Sequence, residues 1–263
     1  ARNPQLVLDF YNQRRAQLQH VHPNAAHLAL VDLEQAYDVH IITQNVDDLH
    51  ERAGSTQILH LHGELTKVCS TVNEGYVVSW EGDQHLDDRD PQGYPMRPFI
   101  VWFGEAVPMI ETAVSIIAHA DVVLVVGTSM QVYPAASLLD YAPLDIPVYY
   151  IDPAAKALDA QVHIRAEVAR VGVAAVVQEL LAASQDLYGV VKANHLVGCT
   201  VSPSGGTSFL VGAGIGIVWY GDVTWLVAVA GGLDPCPRKR VEPRLGHGGD
   251  MGGVCIAICL APV

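Results

Sequence analysis

Segment 58–65, which reads Ile-Leu-His-Leu-His-Gly-Glu-Leu, holds the residues best suited to acid–base chemistry. His60 and His62 alternate with leucines, as in a short strand, and this spacing places both histidines on one face. Histidine has an ordinary pKa of about 6.5, so it can take up or release a proton near neutral pH. Spacing alone favours a structural hydrogen-bonding role for the pair, and other residues are needed to decide.

Polar residues directly follow three apolar segments that read as buried strands. The groups are Gln44, Asn45 and Asp47 after the first segment, Gly127, Thr128 and Ser129 after the second, and Asp152 after the third. In parallel sheets, ligands bind beyond the carboxyl ends of the strands. Glycine lets the backbone approach a phosphate, and hydroxyl groups can donate to phosphate oxygens. Together the groups predict a nucleotide crevice, although each alone also fits a turn that caps the next helix.

The segments that position these groups alternate between helix and strand patterns. Pro4–Leu18 has helical spacing, and a second helix is predicted over about 24–37 with Asn24 as its cap. Residues 66–97 are polar and rich in Gly, Asp and Pro, which indicates an inserted module. Apolar strands that alternate with helices predict an α/β fold with a doubly wound, Rossmann-like parallel sheet.

Composition divides the chain near residue 184. Half of all residues are apolar and 16% are charged, which excludes disorder over the whole length, and the net charge of −13 excludes a basic nucleic-acid platform. Residues 1–184 carry this entire net charge and one cysteine, Cys69, which fits a reducing cytoplasm. Residues 184–263 are rich in glycine, and we expect a tail that is disordered or non-native. Within it, residues 209–233 are apolar enough to leave a membrane span open as a weaker alternative.

Four motifs occur in the order TQNVDDLHERAG, LHLHGEL, FIVWFGEAVP and VGTSMQVYPAA. In that order they resemble the sirtuins, which are NAD-dependent protein deacylases, and the resemblance covers about residues 4–183. FYNQRRAQL is most similar to bacterial members that remove acidic acyl groups. The resemblance implies a catalytic domain over 1–183 with its insert at about 66–97. It also implies that the family's first strand and GAGxS phosphate loop precede residue 1.

The resemblance assigns a role to each polar group. His62 corresponds to the general base, which deprotonates a ribose hydroxyl after the acyl oxygen has displaced nicotinamide from NAD. Gln44, Asn45 and Asp47 correspond to the pocket for nicotinamide and its ribose. Gly127, Thr128 and Ser129 correspond to phosphate or ribose contacts, and Asp152, where the family usually has asparagine, to the adenosine ribose.

The resemblance also implies how an acylated lysine side chain of a protein is bound. Val101, Trp102, Phe103 and Gly104 correspond to the segment that pairs with the substrate peptide as an added strand and walls the acyl-lysine channel. Tyr11 and Arg14 match members that prefer succinyl- and malonyl-lysine. A guanidinium can bind a carboxylate through two hydrogen bonds, which makes desuccinylation or demalonylation the expected activity.

Other functions remain as alternatives. The insert has a single cysteine, Cys69, so no zinc is expected. Separately, neither a nucleic acid nor a membrane is expected as a partner. One alternative is a fragment that binds NAD or ADP-ribose without catalysis. A weaker one is a metal-dependent hydrolase that uses His60 and His62 with His50 and Asp47.

Overall fold

The structure, a computed structural model, describes residues 3–73, 75–127, 135–155, 162–195, 215–220, 223–228 and 255–260. The chain forms two compact units, one of residues 1–187 with 252–263 and the other of residues 188–251. The helices are α1 (Pro4–Leu18), α2 (Ala25–Leu33), α3 (Leu49–Ala53), α4 (Ile110–Ile117), a 3-10 helix (Ala135–Tyr141) and α5 (Ala169–His195). The strands are β1 (Asp38–Thr43), β2 (Ile58–His60), β3 (Gly63–Ser70), β4 (Val77–Ser79), β5 (Met96–Ile100), β6 (Val122–Val126), β7 (Val148–Ile151), β8 (Val162–Arg165), β9 (Ile215–Tyr220), β10 (Val223–Ala228) and β11 (Cys255–Leu260).

Six parallel strands form the main sheet in the order β2-β1-β11-β6-β7-β8. Successive residues of β6 point to opposite faces, so Leu124 packs in a cluster with α2 and α5, whereas Val123 packs in a cluster with α4. Both faces of the sheet are therefore covered by helices. The predicted α/β fold with a parallel sheet is confirmed.

Asparagine caps start the first two helices where the sequence indicates. The Asn3 side chain accepts a hydrogen bond from the Leu6 amide at 3.2 Å, and the Asn24 side chain accepts one from the Ala26 amide at 2.8 Å. The first helix has the predicted bounds, while the second ends at Leu33, before the predicted Tyr37.

The central strand of the main sheet comes from the C-terminal part of the chain. Strand β11 pairs in parallel with β1, from Asp38–Cys255 to Thr43–Leu260, and with β6 on its other side. From the sequence, no regular structure is expected after residue 184. The structure differs there, because α5 continues to His195 and residues Cys255–Leu260 form β11. Residues 255–260 are uniformly apolar, as strands buried on both faces are. Six such residues among glycines show no periodicity that could identify them.

A second, antiparallel sheet in the order β4-β3-β5 contains the strands that fall in the inserted module. Segment 58–65 is two strands and not the single strand that its alternation predicts: β2 ends at His60 and β3 begins at Gly63. Gly63 has a φ of +83°, and a Cβ there would overlap the carbonyl group of Phe99 on β5. Only glycine tolerates both conditions. The two strands are therefore separate, and His62 lies between the end of β2 and the start of β3.

The second unit contains an antiparallel pair, β9 and β10, in which Tyr220 is paired with Val223 and Ile215 with Ala228. Both strands fall within the apolar stretch 209–233. Among the described helices of this protein, none has the length and apolar character needed to cross a membrane.

Candidate active site

A cavity of about 1140 Å³ opens beyond the carboxyl end of β1, between α1 and the segment that follows β5. Many of the predicted site residues line it. They are Tyr11, Arg14, Gln44, Asn45, Asp47, His62, Val101, Trp102 and Phe103. Residues separated by up to 92 positions in the sequence thus share one cavity, and the predicted base lies beside the predicted nicotinamide and acyl pockets.

His62 is held between the two sheets. Its carbonyl oxygen accepts a hydrogen bond from the Val101 amide at 2.9 Å, which extends the pairing of β3 with β5. Burial of the imidazole lowers its pKa, and a hydrogen bond to the backbone of Gln44 raises it by less, so the net direction is downward. The ring is therefore neutral at physiological pH and able to accept a proton.

Gln44 and Asn45 line this cavity, and each has a buried side-chain oxygen without a hydrogen-bond partner among the described residues. The Thr43 side-chain oxygen accepts a hydrogen bond from the Asn45 amide at 3.0 Å, which sets the backbone where β1 ends. Both side chains are buried, and within the described part of the chain Gln44 Oε1 and Asn45 Oδ1 have no hydrogen-bond partner. A buried acceptor left unpaired costs about 1–3 kcal/mol. A cavity lined by two such amides suits a ligand that carries hydrogen-bond donors, such as a carboxamide or ribose hydroxyls.

Asp47 and His60 both make structural contacts. Asp47 Oδ1 accepts a hydrogen bond at 3.1 Å from the amide of Leu49, the first residue of α3, and Asp47 also lines the cavity. His60 Nδ1 lies 3.1 Å from the carbonyl oxygen of Asn45, and its Nε2 lies 2.7 Å from Glu51 Oε1. Burial lowers the His60 pKa, but these hydrogen bonds and the Glu51 charge raise it by more. His60 thereby holds the backbone of Asn45 in place.

The metal-hydrolase alternative needs His50, His60, His62 and Asp47 to converge. Among the described residues, one group offers three ligand atoms close together, and it consists of Glu51, His60 and Glu64. This group shares only His60 with the required set. His50 is buried instead against the ring of His27, with ring centroids 4.6 Å apart.

The segment after β5 is fixed by an ion pair. The two outer nitrogens of Arg97 donate to the two carboxylate oxygens of Glu105 at 2.7 and 2.9 Å. The hydrogen bond from Arg97 is the largest cause that lowers the Glu105 pKa, which falls to about 2. Glu105 also accepts a hydrogen bond from the Trp102 amide at 2.9 Å, which closes a turn in which Gly104 has a φ of +89°. Within this turn the Phe103 side chain is fully exposed, and Gly104 does not line the cavity.

Helix α1 contributes Tyr11 and Arg14 from one turn. The Tyr11 hydroxyl accepts a hydrogen bond from Trp102 Nε1 at 2.9 Å, and burial raises the Tyr11 pKa, so the phenol stays protonated. The Arg14 guanidinium lies 5.4 Å from the ring centroid of Phe10, and no described carboxylate pairs with it. The neighbouring Arg15 is buried, and its Nε donates to the Leu65 carbonyl oxygen at 2.8 Å. Of these two arginines, Arg14 is the one that faces the cavity.

The other predicted site residues lie at neighbouring strand ends of the main sheet. Gly127 follows β6 with a φ of +62°, and no atom of the described residues lies within 4 Å of the position that a Cβ would take. Asp152 follows β7, where its side chain accepts a hydrogen bond from the Ala154 amide at 2.7 Å. Neither residue lines the cavity, and Thr128 and Ser129 lie outside the described residues.

Two features of the site have no role predicted from the sequence: Arg97, and the apolar side of the cavity that α1 provides. This side includes Val7, Phe10 and Leu18. Their spacing with Tyr11 and Arg14, at three to four residues, could have indicated one helix face turned toward a ligand. No comparable local signal exists for Arg97, because its partners Trp102 and Glu105 lie across a turn.

Comparison with known proteins adds three findings. The Sir2 family matches residues 1–134. The chain is 57% identical over 152 residues to an NAD-dependent protein deacylase of Aggregatibacter actinomycetemcomitans, which covers 58% of this chain and 73% of that protein. An NAD-dependent protein deacylase of Bacteroides thetaiotaomicron is 50% identical over 185 residues, covering 68% and 78% of the two chains. A solved Sir2 homologue in complex with NAD superposes with a TM-score of 0.59 and 34% identity over 71% of this chain and 74% of that one.

Proposed function

Because this chain belongs to the Sir2 family, we propose that it removes acyl groups from protein lysine side chains, with NAD as co-substrate and His62 as general base. The observation that carries the proposal is one cavity that His62 lines together with Gln44 and Asn45. NAD, when bound, supplies an electrophilic ribose carbon with nicotinamide as its leaving group.

The residues of the cavity then have distinct tasks. Gln44 and Asn45 accept hydrogen bonds from the nicotinamide amide and ribose hydroxyls, and Asp47 holds these groups from the start of α3. Neutral His62 accepts a proton from a ribose hydroxyl, which makes that oxygen a nucleophile. Gly127, Thr128, Ser129 and Asp152 hold the phosphates and the adenosine ribose.

The acyl chain is the second part of the proposal. Val101, Trp102, Phe103 and Gly104 bind the substrate backbone as an added strand, and the acyl chain enters between Trp102 and α1. Arg14 has no described carboxylate partner and lines the same cavity as the protonated Tyr11. A terminal carboxylate on the acyl group would satisfy both, which supports succinyl- and malonyl-lysine as substrates.

The organisation of the chain follows the same resemblance. We propose a catalytic domain over 1–183, to whose main sheet β11 adds a strand, and an inserted module that needs no zinc, because Cys69 is the one cysteine of that module. The single cysteine in residues 1–184 supports a cytoplasmic location, and the acidic charge supports proteins over nucleic acids or membranes as partners.

The test is incubation of the chain with succinyl-lysine and acetyl-lysine peptides, with and without NAD, followed by quantification of nicotinamide and deacylated peptide. We expect NAD-dependent turnover that His62→Ala abolishes and that His85→Ala, a change at an exposed histidine outside the cavity, leaves intact. Turnover without NAD that a chelator stops, or NAD binding without turnover by the chain, would contradict the proposal.

Acyl preference needs its own pair of variants. Arg14→Met should lower the kcat/KM for the succinyl peptide by about tenfold or more, because one charge-assisted contact is lost, and should affect the acetyl peptide less. Arg14→Lys keeps the charge without the planar fork, so it should recover only part of the loss. Equal losses on both peptides would refute recognition of an acidic acyl group.

A further inference from the structure

We infer that Trp102 orients the Tyr11 hydroxyl so that its proton points to the acyl group, which makes Trp102 a specificity-determining residue for acyl chains that end in a carboxylate. The inference rests on the proposed function, because it concerns the same acyl pocket. It assigns Trp102 a task beyond that of a channel wall, and this task is performed through Tyr11.

The direction of one hydrogen bond carries the argument. An indole nitrogen can only donate, so the 2.9 Å contact makes the Tyr11 oxygen the acceptor and Trp102 Nε1 the donor. The single phenolic proton must then point away from the indole. No described residue accepts it, and Tyr11 lines the cavity. The phenol is therefore a donor aimed at whatever occupies that space.

The indole of Trp102 and the phenol ring of Tyr11 are each held in place by neighbouring side chains. The Arg97 guanidinium lies over the Trp102 ring, 3.8 Å from its centroid, and both outer nitrogens of Arg97 are bound by Glu105. Glu105 also binds the Trp102 amide. On the other side, the Tyr11 ring packs edge-on against Phe10, with centroids 5.1 Å apart. Neither ring can turn without breaking these contacts, so the donor direction of the hydroxyl is set before a ligand arrives.

A donor fixed in this way discriminates between acyl groups. A carboxylate accepts a charge-assisted hydrogen bond, and a hydroxyl that already accepts from an indole is polarised toward donation. The methyl group of an acetyl-lysine has no acceptor to offer at that position. Loss of the Trp102 donor frees the hydroxyl to rotate, and we expect about tenfold weaker binding of a succinyl-lysine peptide.

The experiment is a double-mutant cycle on binding. A fluorescein-labelled succinyl-lysine peptide and its acetyl-lysine counterpart are titrated with the full chain, and anisotropy gives Kd for wild type, Trp102→Phe, Tyr11→Phe and the double variant. We expect Trp102→Phe to weaken succinyl-peptide binding about tenfold in wild type and less than twofold in the Tyr11→Phe background. Trp80→Phe serves as the control, because its indole donates to the Asp83 carbonyl oxygen and does not line the cavity.

The outcomes separate this inference from the proposed function. If Trp102→Phe costs the same in both backgrounds, or costs the same on both peptides, Trp102 is only a wall and the inference is overturned. If wild type binds neither peptide, or Arg14→Met weakens both equally, the proposed function fails and the inference fails with it. If Arg14-dependent preference for succinyl stands and the cycle is additive, only the inference fails.

A ligand-free measurement tests the hydrogen bond directly. The chain has four tryptophans, so a ¹H–¹⁵N spectrum has four indole cross-peaks, and the one lost in Trp102→Phe identifies Trp102. In Tyr11→Phe this cross-peak should move upfield, because the indole proton loses its acceptor. An unchanged position would overturn the inference whatever the peptides show.

Discussion

Replacement of Gly63 by alanine should push β3 away from β5, and the hydrogen bond at His62 joins these two strands. A methyl group at this position would lie 2.8 Å from the Phe99 carbonyl carbon and closer still to its oxygen. Both atoms belong to the backbone, so no side-chain rotation can relieve the contact, and β3 must move away from β5. The φ of +83° costs alanine about 1–2 kcal/mol, and the forced displacement adds about 1–3 kcal/mol. We expect the free energy of unfolding to fall by about 3 kcal/mol.

Gly93→Ala is the matched control for this prediction. Gly93 has a φ of +89°, but nothing lies within 4 Å of a Cβ built there, so this variant should lose only the conformational part, about 1–2 kcal/mol. Urea denaturation followed by far-UV circular dichroism measures both variants. Gly63→Ala should also reduce nicotinamide release, because the hydrogen bond between the Val101 amide and the His62 carbonyl spans the same two strands. Equal destabilisation by the two variants would refute the role of the Phe99 contact.

Three further predictions concern the sheet, a buried histidine and the ion pair. Deletion of residues 252–263 should unfold the main sheet, since β1 and β6 lose their shared partner, whereas deletion of 261–263 leaves β11 complete; circular dichroism distinguishes the two. Burial lowers the His50 pKa from 6.5 to about 4. Between pH 6.5 and about pH 4 the unfolded chain therefore binds one proton more than the folded chain. The free energy of unfolding should fall by up to about 3 kcal/mol as the pH drops through this range. His50→Phe should flatten this dependence in urea titrations at each pH, and an unchanged slope would contradict the assignment. Arg97→Lys should lower the free energy of unfolding by about 1–2 kcal/mol, because lysine cannot pair with Glu105 through two nitrogens while it lies over Trp102; a loss near zero would show that the pair contributes little.

Much of the main sheet and of the cavity could be predicted from local sequence. Asn3 and Asn24 mark the starts of the first two helices, because a cap depends on residues within one turn. The polar groups after β1 and β6 could be placed at one edge of the sheet, because parallel strands end on the same side. Residues as distant as Arg14 and Trp102 were assigned to one pocket through the resemblance of whole motifs, and both line the cavity.

What the sequence alone determined about this protein is therefore its family, the starts of its first two helices and the chemical types present at the site. The tertiary structure decided what depends on contacts between distant segments. It placed β11 between β1 and β6, divided segment 58–65 at Gly63 and joined Trp102 to Tyr11. Periodicity reports only which face of an element is apolar, whereas strand order, a backbone clash and the direction of a hydrogen bond arise when chain segments meet.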